Sequence, residues 1–265
     1  MKLGRVLIIA GSDSGGGAGI QADIKTVTAL GGYAATAITA ITVQNTLGVH
    51  GVHAVPPAVV EAQARAVLDD IGADAVKTGM LGDTEMVERV AAILETVRVP
   101  IVVDPVMVAK GGSNLLSPGA VDAVRSLMIP RAAVLTPNAP EAEALTGLPV
   151  HTTDDLRRAG ERLLALGARA VLMKGGHIVG ATVVDVLMTP SGETTYEGER
   201  LDTRHTHGTG CTLASAVAAG LAQGLPLPEA VAGAWAYVHE AMRQAPGFGA
   251  GHGPLDHAWP LRGRA

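Results

Sequence analysis

Short apolar runs recur along this chain, apolar at consecutive rather than alternate positions, and amphipathic segments at helical spacing lie between them. The runs are Val6–Ala10, Ala34–Ile41, Ala75–Lys77, Ile101–Val103, Ala133–Leu135, Ala170–Met173 and Val183–Leu187. The segments between them include Pro57–Asp70, Thr84–Val97, Asp154–Leu166 and Leu227–Arg243. Strands apolar on both faces must be covered on both faces, so the alternation predicts α/β, with a mainly parallel sheet between helical layers. With 265 residues and no repeat, low-complexity tract or linker, residues 1–265 are expected to form one domain. Val183–Leu187 and Glu193–Tyr196, around Thr189-Pro190-Ser191-Gly192, predict a hairpin on an antiparallel edge.

Several functions are disfavoured by content. A formal net charge of −5 with no basic run, and only one Phe, two Trp and three Tyr, argue against nucleic acid as a partner. A single cysteine rules out an internal disulfide and a cysteine-cluster metal site, and fits a reducing compartment. The opening apolar run ends at Gly11, too short for a signal segment, and no stretch approaches a membrane span. A cytoplasmic protein with no membrane partner is expected.

In parallel sheets ligands bind beyond the C-terminal ends of the strands, so the residues there carry the functional weight. The most telling stretch is Thr206-His207-Gly208-Thr209-Gly210-Cys211-Thr212, followed by small helix formers to about Gln223. A glycine-rich turn opening a helix aims unpaired backbone N–H groups at one spot, at the positive end of the helix dipole. Such a hole suits the charge on a phosphoryl group in flight. Cys211 stands at the helix start, a position that favours thiolate; the competing role is a small buried hydrophobe.

Other strand ends supply complementary groups. The first strand leads into Gly11-Ser12-Asp13-Ser14-Gly15-Gly16-Gly17-Ala18-Gly19-Ile20-Gln21-Ala22-Asp23. Its Gly17-x-Gly19-x-x-Ala22 matches a dinucleotide fingerprint only formally, since the loop is too long and no acid ends the second strand. No Gly-Lys-Ser/Thr follows, which also excludes a Walker A loop. The loop is read as wrapping a small substrate, with Asp23 as a contact or as a solvated acid of the helix's first turn. Gln44, after the second strand, can meet a heterocycle edge in bidentate fashion, and Met80 offers an adaptable apolar wall. Asp104, at the tip of a buried strand, calls for a partner such as Mg²⁺. Asn138 and Glu141 have capping-box spacing and could equally order metal waters and phosphate. Lys174, at another strand tip with glycines behind it, is placed to bind phosphate.

Together these motifs resemble the ribokinase-like superfamily and, within it, the hydroxymethylpyrimidine/phosphomethylpyrimidine kinases of thiamin biosynthesis. The likeness also takes in Val43-Gln44-Asn45-Thr46, Lys77-Thr78-Gly79-Met80-Leu81, Asp104-Pro105-Val106-Met107, Lys174-Gly175-Gly176-His177 and the tail Gly251-His252-Gly253-Pro254. Asp13-Ser14-Gly15 departs from an Asp-Pro-Ser common in that family. The resemblance implies a three-layer α/β/α sandwich, usually dimeric, that uses ATP and Mg²⁺ to phosphorylate an aminopyrimidine alcohol and then its monophosphate. It places Gly11, Asp23, Gln44, Met80 and Val106 around the pyrimidine, and Asp104 and Glu141 at Mg²⁺. Asn138, Glu141, Lys174 and Thr209 would serve the nucleotide, while Lys174 and the Gly208–Cys211 amides hold the transferring group. Cys211 would stand as base where many relatives have aspartate. A pyridoxine or pyridoxal kinase, and a non-catalytic binding protein keeping the same pocket, remain as rivals.

Overall fold

The computed structural model describes residues 2–108, 112 and 115–262. Nine strands form one sheet, ordered β3-β2-β1-β4-β5-β6-β7-β8-β9. They are β1 (Arg5–Ser12), β2 (Tyr33–Asn45), β3 (Gly48–Ala54), β4 (Ala75–Thr78), β5 (Ile101–Val103), β6 (Val134–Leu135), β7 (Val171–Met173), β8 (Thr182–Thr189) and β9 (Gly192–Glu199). From β2 across to β7 every pairing is parallel; β3 adds antiparallel at one edge, and β8 and β9 at the other. The helices are α1 (Gly19–Ala29), α2 (Pro57–Ala66), α3 (Thr84–Glu95), α4 (Pro118–Ala123), α5 (Ala139–Thr146), α6 (Thr153–Ala165), α7 (Thr209–Ala222) and α8 (Leu227–Arg243).

The double-sided apolar runs explain the layering. In β1, Val6, Ile8 and Ala10 pack into a core shared with α1, α7 and α8. Leu7 and Ile9, which point the other way, join a second core with α2 to α6. The result is the three-layer α/β/α sandwich, ribokinase-like in fold. The chain leaves β1 for β2 on one side and returns to β4 on the other, so the strand order reverses between β1 and β4. A crevice opens at such a reversal. No helix among the described residues is long and apolar enough to cross a membrane.

The hairpin read from Val183 to Tyr196 is present as β8–β9, with Thr189 opposite Gly192. Thr42–Thr46, by contrast, was expected to follow the second strand. The strand continues to Asn45 and folds back as β3. The pairing carries a bulge at Val43/Gln44, a device that re-aims side chains.

His257 ties the C-terminal tail to the anion-hole helix: its Nε2 lies 3.0 Å from Thr212 Oγ1, and its carbonyl accepts the Tyr237 hydroxyl at 2.6 Å. Burial lowers His257 to about 4, helped by the charges of Lys25 and His207. The folded state therefore resists a proton that the unfolded chain takes up near pH 6.5. The contribution of His257 to stability is full above that pH and falls by about 3 kcal/mol as the pH drops from 6.5 to 4. In thermal unfolding at pH 7 and 4.5, His257→Asn should lose less stability on acidification than the parent.

Candidate active site

Beyond the strand ends lie two adjoining cavities, of about 480 and 240 Å³. Lys174, Asn138, Thr209 and Gly210 line both. The larger cavity also collects Gly11, Gln44, Met80, Asp104, Val106, Glu141, Gly208 and Cys211. Nearly every position singled out in the sequence thus meets in one place.

The anion hole is built by α7. Gly208 caps the helix with φ +86°, and the N–H groups of Gly210 and Cys211, in the first turn, have no intrahelical acceptor. A Cβ on Gly208 would sit 1.8 Å from the Gly17 carbonyl oxygen. The left-handed backbone adds roughly 1–2 kcal/mol for any L side chain. Gly208→Ala should therefore lower the unfolding temperature and abolish turnover together, read by thermal unfolding beside a kinase assay.

Asp13 clamps this hole to the N-terminal loop, and the sequence reading gave it no role. Its carboxylate accepts from the backbone N–H groups of Gly15 (2.8 Å), Gly17 (3.1 Å) and Ala18 (2.8 Å), and lies 2.8 Å from His207 Nε2. Burial works to raise Asp13, but the His207 bond and the amides outweigh it and hold it below the usual carboxylate range. An aspartate with glycines two and four positions on was the available signal. Gln44 reaches the same knot, with Nε2 3.1 Å from His207 Nε2.

Lys174 stands between two acids. Its Nζ is 3.0 Å from Asp104 Oδ1 and 3.8 Å from Glu141 Oε2. Burial works against its charge, but the two carboxylates leave it above its ordinary value. Glu141 is pushed up to about 7 by burial, with Asp104 adding and Lys174 opposing. The capping box predicted at Asn138 and Glu141 is present on α5, with bonds of 2.9 and 2.8 Å. Structural and cavity-lining roles coexist there. The backbone after Lys174 is pinned by Asp185, which accepts from Gly175 N–H at 2.7 Å.

Asp104 Oδ1 also accepts from Thr136 Oγ1 at 3.1 Å, whereas Oδ2 is buried without a partner. A buried, unpaired carboxylate oxygen beside phosphate-binding groups fits a hard cation. No cluster of three or more His, Cys, Asp or Glu able to hold a metal occurs among the described residues. Asp104 and Glu141, on either side of Lys174, are a donor set that would fit Mg²⁺, which takes one or two carboxylates together with substrate phosphates and water.

Two expectations need correcting. Asp23, expected against the substrate, is fully buried and does not line the cavity. Its carboxylate faces Lys77 Nζ at 2.9 and 3.0 Å and Ser215 Oγ at 2.6 Å. Cys211, expected as thiolate, has its thiol pushed up to about 12 by burial, opposite to the shift its place at the helix start favours. Lys77 and the Gly19 N–H act the other way, while Asp23 and Asp104 add to the rise. Helix position was legible in the sequence; the desolvation that overrides it was not.

Residues 13–256 match the phosphomethylpyrimidine kinase family model. The chain is 52% identical over 256 residues to the hydroxymethylpyrimidine/phosphomethylpyrimidine kinase of Streptomyces coelicolor, covering 97% of this chain and 95% of that one. It is 52% identical over 255 residues to the thiamine biosynthesis bifunctional protein ThiED of Geobacter sulfurreducens; the match takes in 96% of this chain and about half (52%) of that protein's length. The pyridoxal kinase of Bacillus subtilis, solved as an ADP complex, superposes with a TM-score of 0.91 at 38% identity, covering 98% and 99% of the two chains. The chain belongs to the phosphomethylpyrimidine kinase family.

Proposed function

We infer that this chain is a phosphotransferase that uses ATP to phosphorylate 4-amino-5-hydroxymethyl-2-methylpyrimidine, and then the monophosphate to the diphosphate. The observation that carries this reading is the pair of adjoining cavities, which meet at Lys174 and the first turn of α7. In it, the aminopyrimidine occupies the larger cavity, with Gln44 at its edge and Gly11, Met80 and Val106 as walls. The nucleotide occupies the smaller one, between Trp235 and Leu213. The γ-phosphoryl group then lies where both cavities touch. The Gly210 and Cys211 amides face the charge that spreads over its oxygens, and Lys174 neutralises it from the side.

Asp104 and Glu141 would hold Mg²⁺, which neutralises phosphate charge during transfer. Cys211 would take the proton of the attacking alcohol once its thiol ionises. Relatives named for both phosphorylations support the substrate, and a solved relative with bound ADP supports the nucleotide. Residues 1–265 are read as a single domain of a cytoplasmic enzyme. A homodimer is proposed on the β2–β3 ribbon, whose Ile41 and Val43 are exposed on one face.

Turnover with ATP and Mg²⁺ on the pyrimidine alcohol, its monophosphate and pyridoxal, with products resolved by mass, tests the reading. Conversion of the first two supports it. Conversion of pyridoxal alone would shift the assignment to the chemistry named for the B. subtilis structure.

A further inference from the structure

Beneath the larger cavity lies an ion pair that the mechanism above leaves unused. Lys77, on β4, is completely buried, yet it lines the same cavity as Cys211. Its ammonium contacts both oxygens of Asp23 from α1, and Ser215 donates to Asp23 Oδ1. Ser215 stands four residues beyond Cys211 on α7, one turn below it on the same face. Distances of 2.6 to 3.0 Å are those of charge-assisted bonds. Apolar residues of similar volume would stabilise such a core equally well, so stability alone does not account for two charges beneath a reactive sulfur.

We propose that the Asp23–Lys77 pair tunes Cys211, the Lys77 ammonium favouring the thiolate and the Asp23 carboxylate restraining it. The proposal rests on the reading of Cys211 as the proton acceptor. Charged groups influence Cys211 from every side: Lys77 from β4, Asp23 from α1, Asp104 after β5 and Lys174 after β7, with the Gly19 N–H as a further donor. Lys77 lines the cavity with Cys211, and Asp23 is bonded to Ser215, one turn along α7 from Cys211, so a positive and a negative charge both lie close to the sulfur. Removing Lys77's charge and removing Asp23's charge should therefore move the thiol in opposite directions. Neither residue exchanges a proton with substrate; both are positioning residues.

Cys211 is the only cysteine and is partly exposed, so alkylation by iodoacetamide reports on one sulfur. At pH 8 and below the thiol's midpoint, thiolate fraction changes tenfold per unit of pKa, and a neighbouring charge shifts such a group by about 1–3 units. Lys77→Met should slow alkylation at least tenfold, and Asp23→Asn should speed it by a similar factor. The double variant should fall between them. A merely structural role would loosen the fold and speed alkylation in both single variants. Shifts of the same sign, or no shift in either, would overturn the proposal. Should Lys77→Met not fold, Asp23→Asn is set beside Ser215→Ala, which removes the same bond without changing charge: faster alkylation in Asp23→Asn only supports the proposal, and equal acceleration in both, or an unchanged or slower rate in Asp23→Asn, overturns it. The underlying reading fails separately, if Cys211→Ala leaves the alcohol transfer intact while the opposite alkylation shifts persist.

Discussion

Replacing Cys211 with alanine is expected to slow phosphorylation of the pyrimidine alcohol by about 10²–10⁴-fold, the usual contribution of a positioned base. Phosphorylation of the monophosphate should fall by less than about tenfold. The two acceptors differ in one respect that matters here. The alcohol must shed a proton as it attacks, whereas a phosphate monoester, with a second pKa near 6, is already mostly anionic at neutral pH. The backbone hole that faces the transferring group survives the substitution, because Gly208 and the first-turn amides do not depend on the side chain. Single-turnover rates measured separately on each acceptor check this, and equal losses in both would remove Cys211 from the role of base. The pH dependence has a definite sign. With the thiol raised to about 12, thiolate grows about tenfold per unit from neutral to alkaline pH. The alcohol transfer should rise with pH, and the second transfer should not follow it.

Lys174→Met should act on both transfers alike, with losses of about 10³-fold. Its ammonium neutralises charge on the transferring group, which is common to both steps. The substitution also leaves Asp104 and Glu141 facing each other in a buried pocket without the cation that lies 3.0 and 3.8 Å from them. Breaking one side of a buried charge cluster costs roughly 3–5 kcal/mol. Thermal unfolding and binding of the pyrimidine alcohol, measured on the same preparation, separate lost catalysis from lost fold. A variant that folds, binds and transfers at the parental rate would exclude Lys174 from the reaction.

The contrast between these variants reflects what could be read from residue order. The sheet was legible because Val6–Ala10 of β1 and all of β5 and β7 are apolar at consecutive positions, and only a strand covered twice needs that. The C-terminal ends of those strands then pointed to Asp104 and Lys174 without any knowledge of contacts. β3 escaped, since Gly48-Val49-His50-Gly51-Val52-His53 is a half-exposed edge strand with neither strong alternation nor an apolar run. Asp23 escaped for a different reason. An acid in the first turns of a helix has a satisfactory solvent-facing explanation, and nothing local reveals a lysine arriving from a strand 54 residues away. Lys77 itself, closing an otherwise apolar run, was the overlooked sign. The state of Cys211 depended on desolvation, a property of the assembled walls and of no single segment.

The Asp13–His207 contact joins positions 194 residues apart, and Ser215 reaches Asp23 over 192. Closing such long loops is slow relative to local pairing. During synthesis, β1 and its glycine loop emerge more than 190 residues before the part of α7 that docks on them. The reactive centre is therefore among the last parts of the molecule to take shape. Folding intermediates would hold much of the sheet and no chemistry. Recovery of activity on refolding should lag behind recovery of secondary structure.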